Sequence, residues 1–62
     1  MNGMNDSAYA WIRWASIQRE RLRGEIRDTI RQLIAAGATE SEIARETGLS
    51  RTTVRRAAGK PG

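Results

Sequence analysis

Cysteine, histidine and phenylalanine are absent from the 62 residues, proline occurs once, at Pro61, and aromatic residues make up only 5%. Without Cys or His the usual zinc sets cannot be assembled, and neither can a Cys-His or Ser-His nucleophile pair. The seven carboxylates fall mostly on expected exposed faces or helix caps, with no buried partner to tune them for acid–base work. These absences argue against an enzyme, and the chain calls for no cofactor and no metal. No apolar run approaches membrane-spanning length. Met1 to Ser7 lacks a basic region and Arg13 interrupts the apolar stretch that follows, so nothing reads as a signal peptide. A cytoplasmic protein with no membrane partner is the expectation.

What is present is small, aliphatic and basic. Six Ile, three Leu and one Val stand beside nine Ala, which predicts close helical packing and an all-α fold without a sheet. At this length a single core barely outweighs chain entropy, and with no disulfide or structural metal available, oligomerisation is the remaining aid. The formal net charge is +4 and the sequence pI about 11.1. Its distribution is uneven. Thr39 to Gly48 holds three Glu and one Arg, a balance of −2, whereas Ser50 to Lys60 holds Arg51, Arg55, Arg56 and Lys60 with no acid, a balance of +4. Ten of the eleven basic residues are Arg, which favours planar, bidentate contacts over diffuse attraction. The middle arginines alternate with Glu20, Glu25 and Asp28 and read as a solvated charged face.

Along the chain, Asn5-Asp6-Ser7 offers a helix start before Ala8. On a helical wheel Ala8, Ile12, Ala15, Leu22, Ile26, Ile30 and Leu33 fall on one stripe, with Arg19 the only intruder. Gly24 projects to the polar side. Two readings fit this pattern: one long helix from about Ser7 to Ala36, or two helices bent near Arg23-Gly24, because Gly costs about 1 kcal/mol in a helix interior. The bend is favoured. Gly37 supplies a left-handed stop after Ala36. Thr39-Glu40-Ser41-Glu42 is a capping box that opens a short helix with Ile43, Ala44 and Thr47 on its inner face. Gly48 ends it, Leu49 is an apolar plug, and Ser50 caps a last helix from Arg51 to Ala58.

Residues 39 to 58, T-E-S-E-I-A-R-E-T-G-L-S-R-T-T-V-R-R-A-A, resemble a helix-turn-helix. Two helices crossing steeply through a short turn need a small side chain where they approach, here Ala44. They need a glycine where the turn requires positive φ, here Gly48, and apolar plugs at Ile43, Leu49 and Val54. With Ile26 to Ala36 in front, the unit resembles the three-helix DNA-binding domain of the Hin and resolvase family of site-specific recombinases, and more loosely the small phage repressors. The chain shows neither the Gly/Arg/Pro arm nor the serine-recombinase domain of that family, so the resemblance does not imply strand transfer. Ala57 is smaller than the aliphatic residue usual there. Nothing after Ala58 is long enough for a winged hairpin. The expected architecture is a three-helix helix-turn-helix unit with an additional N-terminal helix and no wing.

The resemblance implies double-stranded DNA as partner, with the last helix in the major groove. Val54 and Ala57 point inward on its wheel. Ser50, Arg51, Thr52 and Arg55 are the candidates for base readout, Arg51 or Arg55 by a bidentate contact to a guanine edge. Thr39, Thr53, Arg56 and Lys60 are the candidates for phosphate contacts.

From Ala8 to Ile17, eight of ten residues are apolar. Ala10, Trp14 and Ile17 lie on a different side of the wheel from the core stripe, and an apolar patch carrying Trp marks an interface. A homodimer through that face is the expectation, with simple core packing of both tryptophans as the alternative. The chain divides into 1–24, an N-terminal helical interface segment, 25–59, the helix-turn-helix unit, and 60–62, a tail. The function expected is a small sequence-specific DNA-binding protein, a transcriptional regulator of repressor type. The alternative is a protein-interaction adaptor or recombination accessory factor that docks a larger protein partner through the Trp-bearing helix.

Overall fold

The apolar stripe becomes the inner surface of four helices in the computed structural model, which describes residues 3–59. They are α1 (Gly3–Ser16), α2 (Arg19–Ala35), α3 (Glu40–Thr47) and α4 (Arg51–Ala57), with no strand among the described residues. Each helix contributes one large, fully buried side chain: Ile12, Ile30, Ile43 and Val54. Tyr9, Ala15, Ile26, Leu33, Ala38, Ala44 and Leu49 complete one continuous core, with Ala8, Trp11, Leu22 and Ala57 packed on its margin. Burial raises the Tyr9 phenol above its ordinary pKa, and the nearby Glu42 and Glu46 carboxylates add to the effect. The hydroxyl therefore stays neutral.

The first two helices meet elsewhere than expected. The chain does not run unbroken from Ser7 to Ala36: it bends at Leu22, beside the expected Arg23-Gly24, but its main break falls earlier, at Ile17 and Gln18. There the Ile17 and Gln18 amides donate to the Trp14 and Ala15 carbonyls at 3.1 and 2.9 Å, tightening the last turn of α1. The Ser16 hydroxyl donates back to the Ile12 carbonyl at 2.8 Å. Beyond the break, Asn5 and Ala8 lie beside Gln32, Leu33 and Ala36, so α1 runs back along α2. The reason is burial. A straight helix would hold Ala8 about 33 Å from Ile30 at 1.5 Å per residue, and Tyr9, Ile12 and Ala15 would lose the surface that covers them. A second irregularity, at Leu22 (φ −115°, ψ 16°), kinks α2 two residues before Gly24. The expected boundary after residue 24 thus falls inside α2, and the core runs across it.

Gly24 lies within α2, and a Cβ built there meets nothing within 4 Å. Gly24→Ala should therefore raise stability by about 0.5–1 kcal/mol, seen as a higher urea midpoint with unchanged slope. A lower midpoint would mean that the kink at Leu22 depends on this glycine.

The short helices are fixed at their ends. Thr39 and Glu42 form the expected capping box: the Thr39 hydroxyl accepts from the Glu42 amide at 3.1 Å, and the Glu42 carboxylate accepts from the Thr39 amide at 3.3 Å. At the other end of α3, Gly48 takes the left-handed conformation (φ 79°), and its amide donates to the Ala44 carbonyl. Thr47, the buried polar residue at this corner, donates from its hydroxyl to the Ile43 carbonyl at 2.6 Å and accepts from the Leu49 amide at 3.3 Å. The turn is thereby tied to the helix it leaves. Two arginines then bind helix C-termini, where carbonyls lack partners and the helix dipole favours a cation. Arg13 of α1 donates to the Glu46 carbonyl at 2.6 Å, and Arg31 of α2 donates to the Ala57 carbonyl at 3.0 Å.

Candidate nucleic-acid interface

The corner between α3 and α4 decides what α4 can present. Ile43, Leu49 and Val54 are buried where the two helices cross, and Ala44 is small enough to admit the close approach. With Val54 turned inward and Thr53 and Ala57 half-buried, the opposite side of α4 carries Arg51, Thr52, Arg55 and Arg56, all exposed. No acidic residue lies on this helix. The result is a convex, cationic ridge two turns long.

The candidate readers are held to different degrees. Arg51 and Thr52 project from the first turn of α4, and Arg51 makes no ion pair with any described residue. Arg55 is 47% exposed but tethered: its Nε lies 3.5 Å from Oε1 of Glu40, whose side chain is only 16% exposed. That contact comes from the first residue of α3, so α3 helps to aim a side chain of α4. Ser50 is exposed, yet its hydroxyl is occupied by the cap, accepting from the Thr53 amide at 3.1 Å and donating to the Thr53 hydroxyl at 2.8 Å. Its part is to start α4.

Among the phosphate candidates, Arg56 is exposed and Thr53 half-buried beside it. The Thr39 amide and hydroxyl, expected to face phosphate, both donate instead to the Glu42 carboxylate inside the capping box. The adjoining Glu40 and Glu42 make that end of α3 acidic. Lys60 lies outside the described residues.

The structure also gathers side chains that sequence reading assigned to a solvated face. Arg19, Arg23 and Arg27 line one side of a groove whose other side is formed by Thr53 and Arg56 of α4. Their spacing of four residues was visible in the sequence, but the intervening Glu20, Glu25 and Asp28 concealed its one-sidedness. Arg27 makes only a long, exposed pair with Asp28, at 3.9 Å.

Ala10 and Trp14 on α1 and Ile17 in the break that follows it are exposed, Trp14 at 53% and Ile17 at 82%. The tryptophans divide: Trp11 packs on the core margin and Trp14 faces outward.

Residues 16–58 match the family described as the helix-turn-helix domain of resolvase. The chain belongs to this family. The match begins at Ser16 rather than at Ile26, where the sequence resemblance starts, and so includes the first half of α2 with Arg19 and Arg23. No curated protein and no solved structure matches the chain. The resolvase-type domain is accordingly a DNA-binding domain, all-helical over its described residues, and the ridge on α4 is its candidate contact surface. No helix among the described residues is long and apolar enough to cross a membrane.

Proposed function

We propose that this resolvase-type domain is a small sequence-specific DNA-binding regulator of repressor type, acting on cytoplasmic DNA as a two-fold dimer. Its α4 enters the major groove, with Arg51, Thr52 and Arg55 toward base edges and Arg56, Thr53 and Lys60 toward phosphates. The observation that supports this most is the acid-free ridge on α4, rigidly set by the buried corner at Ile43, Leu49 and Val54. Selection of bound duplexes from a random pool tests it. The expected product is a palindrome with half-sites about 34 Å apart, one helical turn from centre to centre. A pool that yields no consensus would remove the readout assignment.

The dimer rests on the outward patch of Ala10, Trp14 and Ile17. Because each copy presents the same patch, a two-fold axis through it buries both at once. In analytical ultracentrifugation the wild type should sediment as a dimer and Trp14→Ala as a monomer; a monomer in both cases removes the dimer. The same patch supports a second reading, in which the domain is an adaptor or recombination accessory factor and Trp14 docks a larger protein. That reading expects Trp14→Ala to abolish partner capture while DNA binding remains.

A further inference from the structure

The groove between the first half of α2 and α4 encloses about 400 Å³, and the base-reading residues take no part in it. Its apolar floor, including Ile26, Ile30 and Leu49, is already buried in the core, and the apolar surface left open between the arginines is far smaller than a protein–protein interface needs. Its rim is cationic. Arg19, Arg23 and Arg27 face it from α2 and Arg56 from α4, and no acidic side chain lines it. Arg19, Arg23 and Arg56 have no ion pair with any described residue.

Four guanidinium groups gathered on one groove repel one another unless something supplies negative charge. The form of the array narrows what that can be. About one helical turn separates each α2 arginine from the next, and even with the kink at Leu22 all three line the same groove, so their Cα atoms extend over up to about 12 Å at 1.5 Å rise per residue. A line of charge of that length suits an extended polyanion better than a single phosphate. With the floor buried, binding has to come from charge and from planar hydrogen bonding, which is how arginine engages phosphodiesters. The groove also shares its α4 wall with the reading surface, Thr53 and Arg56 adjoining Thr52 and Arg55 along the helix.

We propose that Arg19, Arg23 and Arg27, together with Arg56, clamp the sugar-phosphate backbone of one DNA strand where it flanks the major groove occupied by α4. This rests on the DNA reading of α4 and adds a second, sequence-independent contact line to it. The clamp positions the duplex and contributes affinity, while α4 selects the sequence.

The test is the salt dependence of binding by the full chain, measured with the selected duplex and with a random one. In R19Q/R23Q/R27Q the slope of log K against log salt should become shallower by about 2.7, since each neutralised phosphate contributes about 0.9. Affinity for both duplexes should fall by the same factor, at least tenfold at low salt. The single variants R23Q and R27Q should each remove about 0.9; they serve if circular dichroism shows the triple variant unfolded. A slope equal to wild type in folded variants overturns the clamp while leaving α4 readout intact, provided Arg51→Ala still weakens the selected duplex. Failure of the wild type to bind either duplex overturns both readings. A wild-type slope on DNA combined with lost binding of poly-glutamate would assign the groove to an acidic protein surface instead, and also overturns the clamp.

Discussion

Ile43→Ala should leave most of the chain unfolded at 25 °C. Ile43 is fully buried at the middle of α3, in the same core as Ile12, Ile30 and Val54. Truncating a buried Ile to Ala costs about 2–5 kcal/mol, from lost transfer energy and the void left behind. A single core in a chain of this size supplies only about 3–5 kcal/mol in total. The substitution therefore removes a large part of the whole, where the same change in a large domain would only lower its midpoint. Far-ultraviolet circular dichroism with urea should show reduced helix in water and little or no pretransition baseline. Ile17→Ala is the matched control. At 82% exposure that side chain has little burial to lose within one protomer, so with both substitutions compared in the Trp14→Ala background, where the proposed dimer is absent, the protomer's stability should change by no more than about 0.5 kcal/mol. Equal effects from the two isoleucines would mean that the four-helix core does not hold the fold together.

Arg51→Ala should weaken binding to the selected duplex by about 5- to 150-fold, equivalent to the roughly 1–3 kcal/mol carried by a good bidentate contact to a base. Random duplex should lose much less. The asymmetry follows from position: Arg51 stands in the first turn of α4, exposed and without an ion pair to any described residue, so it meets DNA with no internal contact to give up. Arg55→Ala should cost less on the selected duplex. Arg55 must share or leave Glu40 to reach a base, and that competing pair offsets part of its contribution. Arg56→Ala should weaken both duplexes alike, as a phosphate contact does. Titration by fluorescence anisotropy at one fixed salt concentration separates these outcomes. Equal losses on selected and random DNA for Arg51→Ala would mean that it holds phosphate and that another side chain reads the sequence.

The parts of this fold that sequence revealed are those governed by local chemistry. The capping box at Thr39 and Glu42, the left-handed Gly48 and the Ser50 cap each depend on residues within four positions of one another, and each formed as its residue types require. The buried plugs Ile43, Leu49 and Val54 follow from the same short-range pattern. The break at Ile17 and Gln18 was hidden for a physical reason. A helical wheel records the phase of apolar residues, and the stripe from Ile12 to Leu33 keeps nearly the same phase whether the chain runs straight or doubles back. The low helix propensity of Gly24 points to the kink beside it at Leu22, whereas the turn between α1 and α2 lies where α1 can return over α2, a tertiary matter. The arginines were hard to sort for a similar reason. Charge counting treats Arg13, Arg23 and Arg31 alike, whereas Arg13 and Arg31 hold helix ends and Arg23 lines a groove. Distances across 33 and 26 residues of chain separate those roles.

The anchoring of α4 at both ends has a bearing on how fast the domain can engage its target. Seven residues are too few to stay helical in isolation, yet Ser50 secures one end and Arg31 the other. On the proposed reading, α4 is thus preassembled before any encounter, and docking would involve little induced folding. Recognition on those terms is the meeting of two shaped bodies, with arrival rates set by diffusion, orientation and long-range attraction.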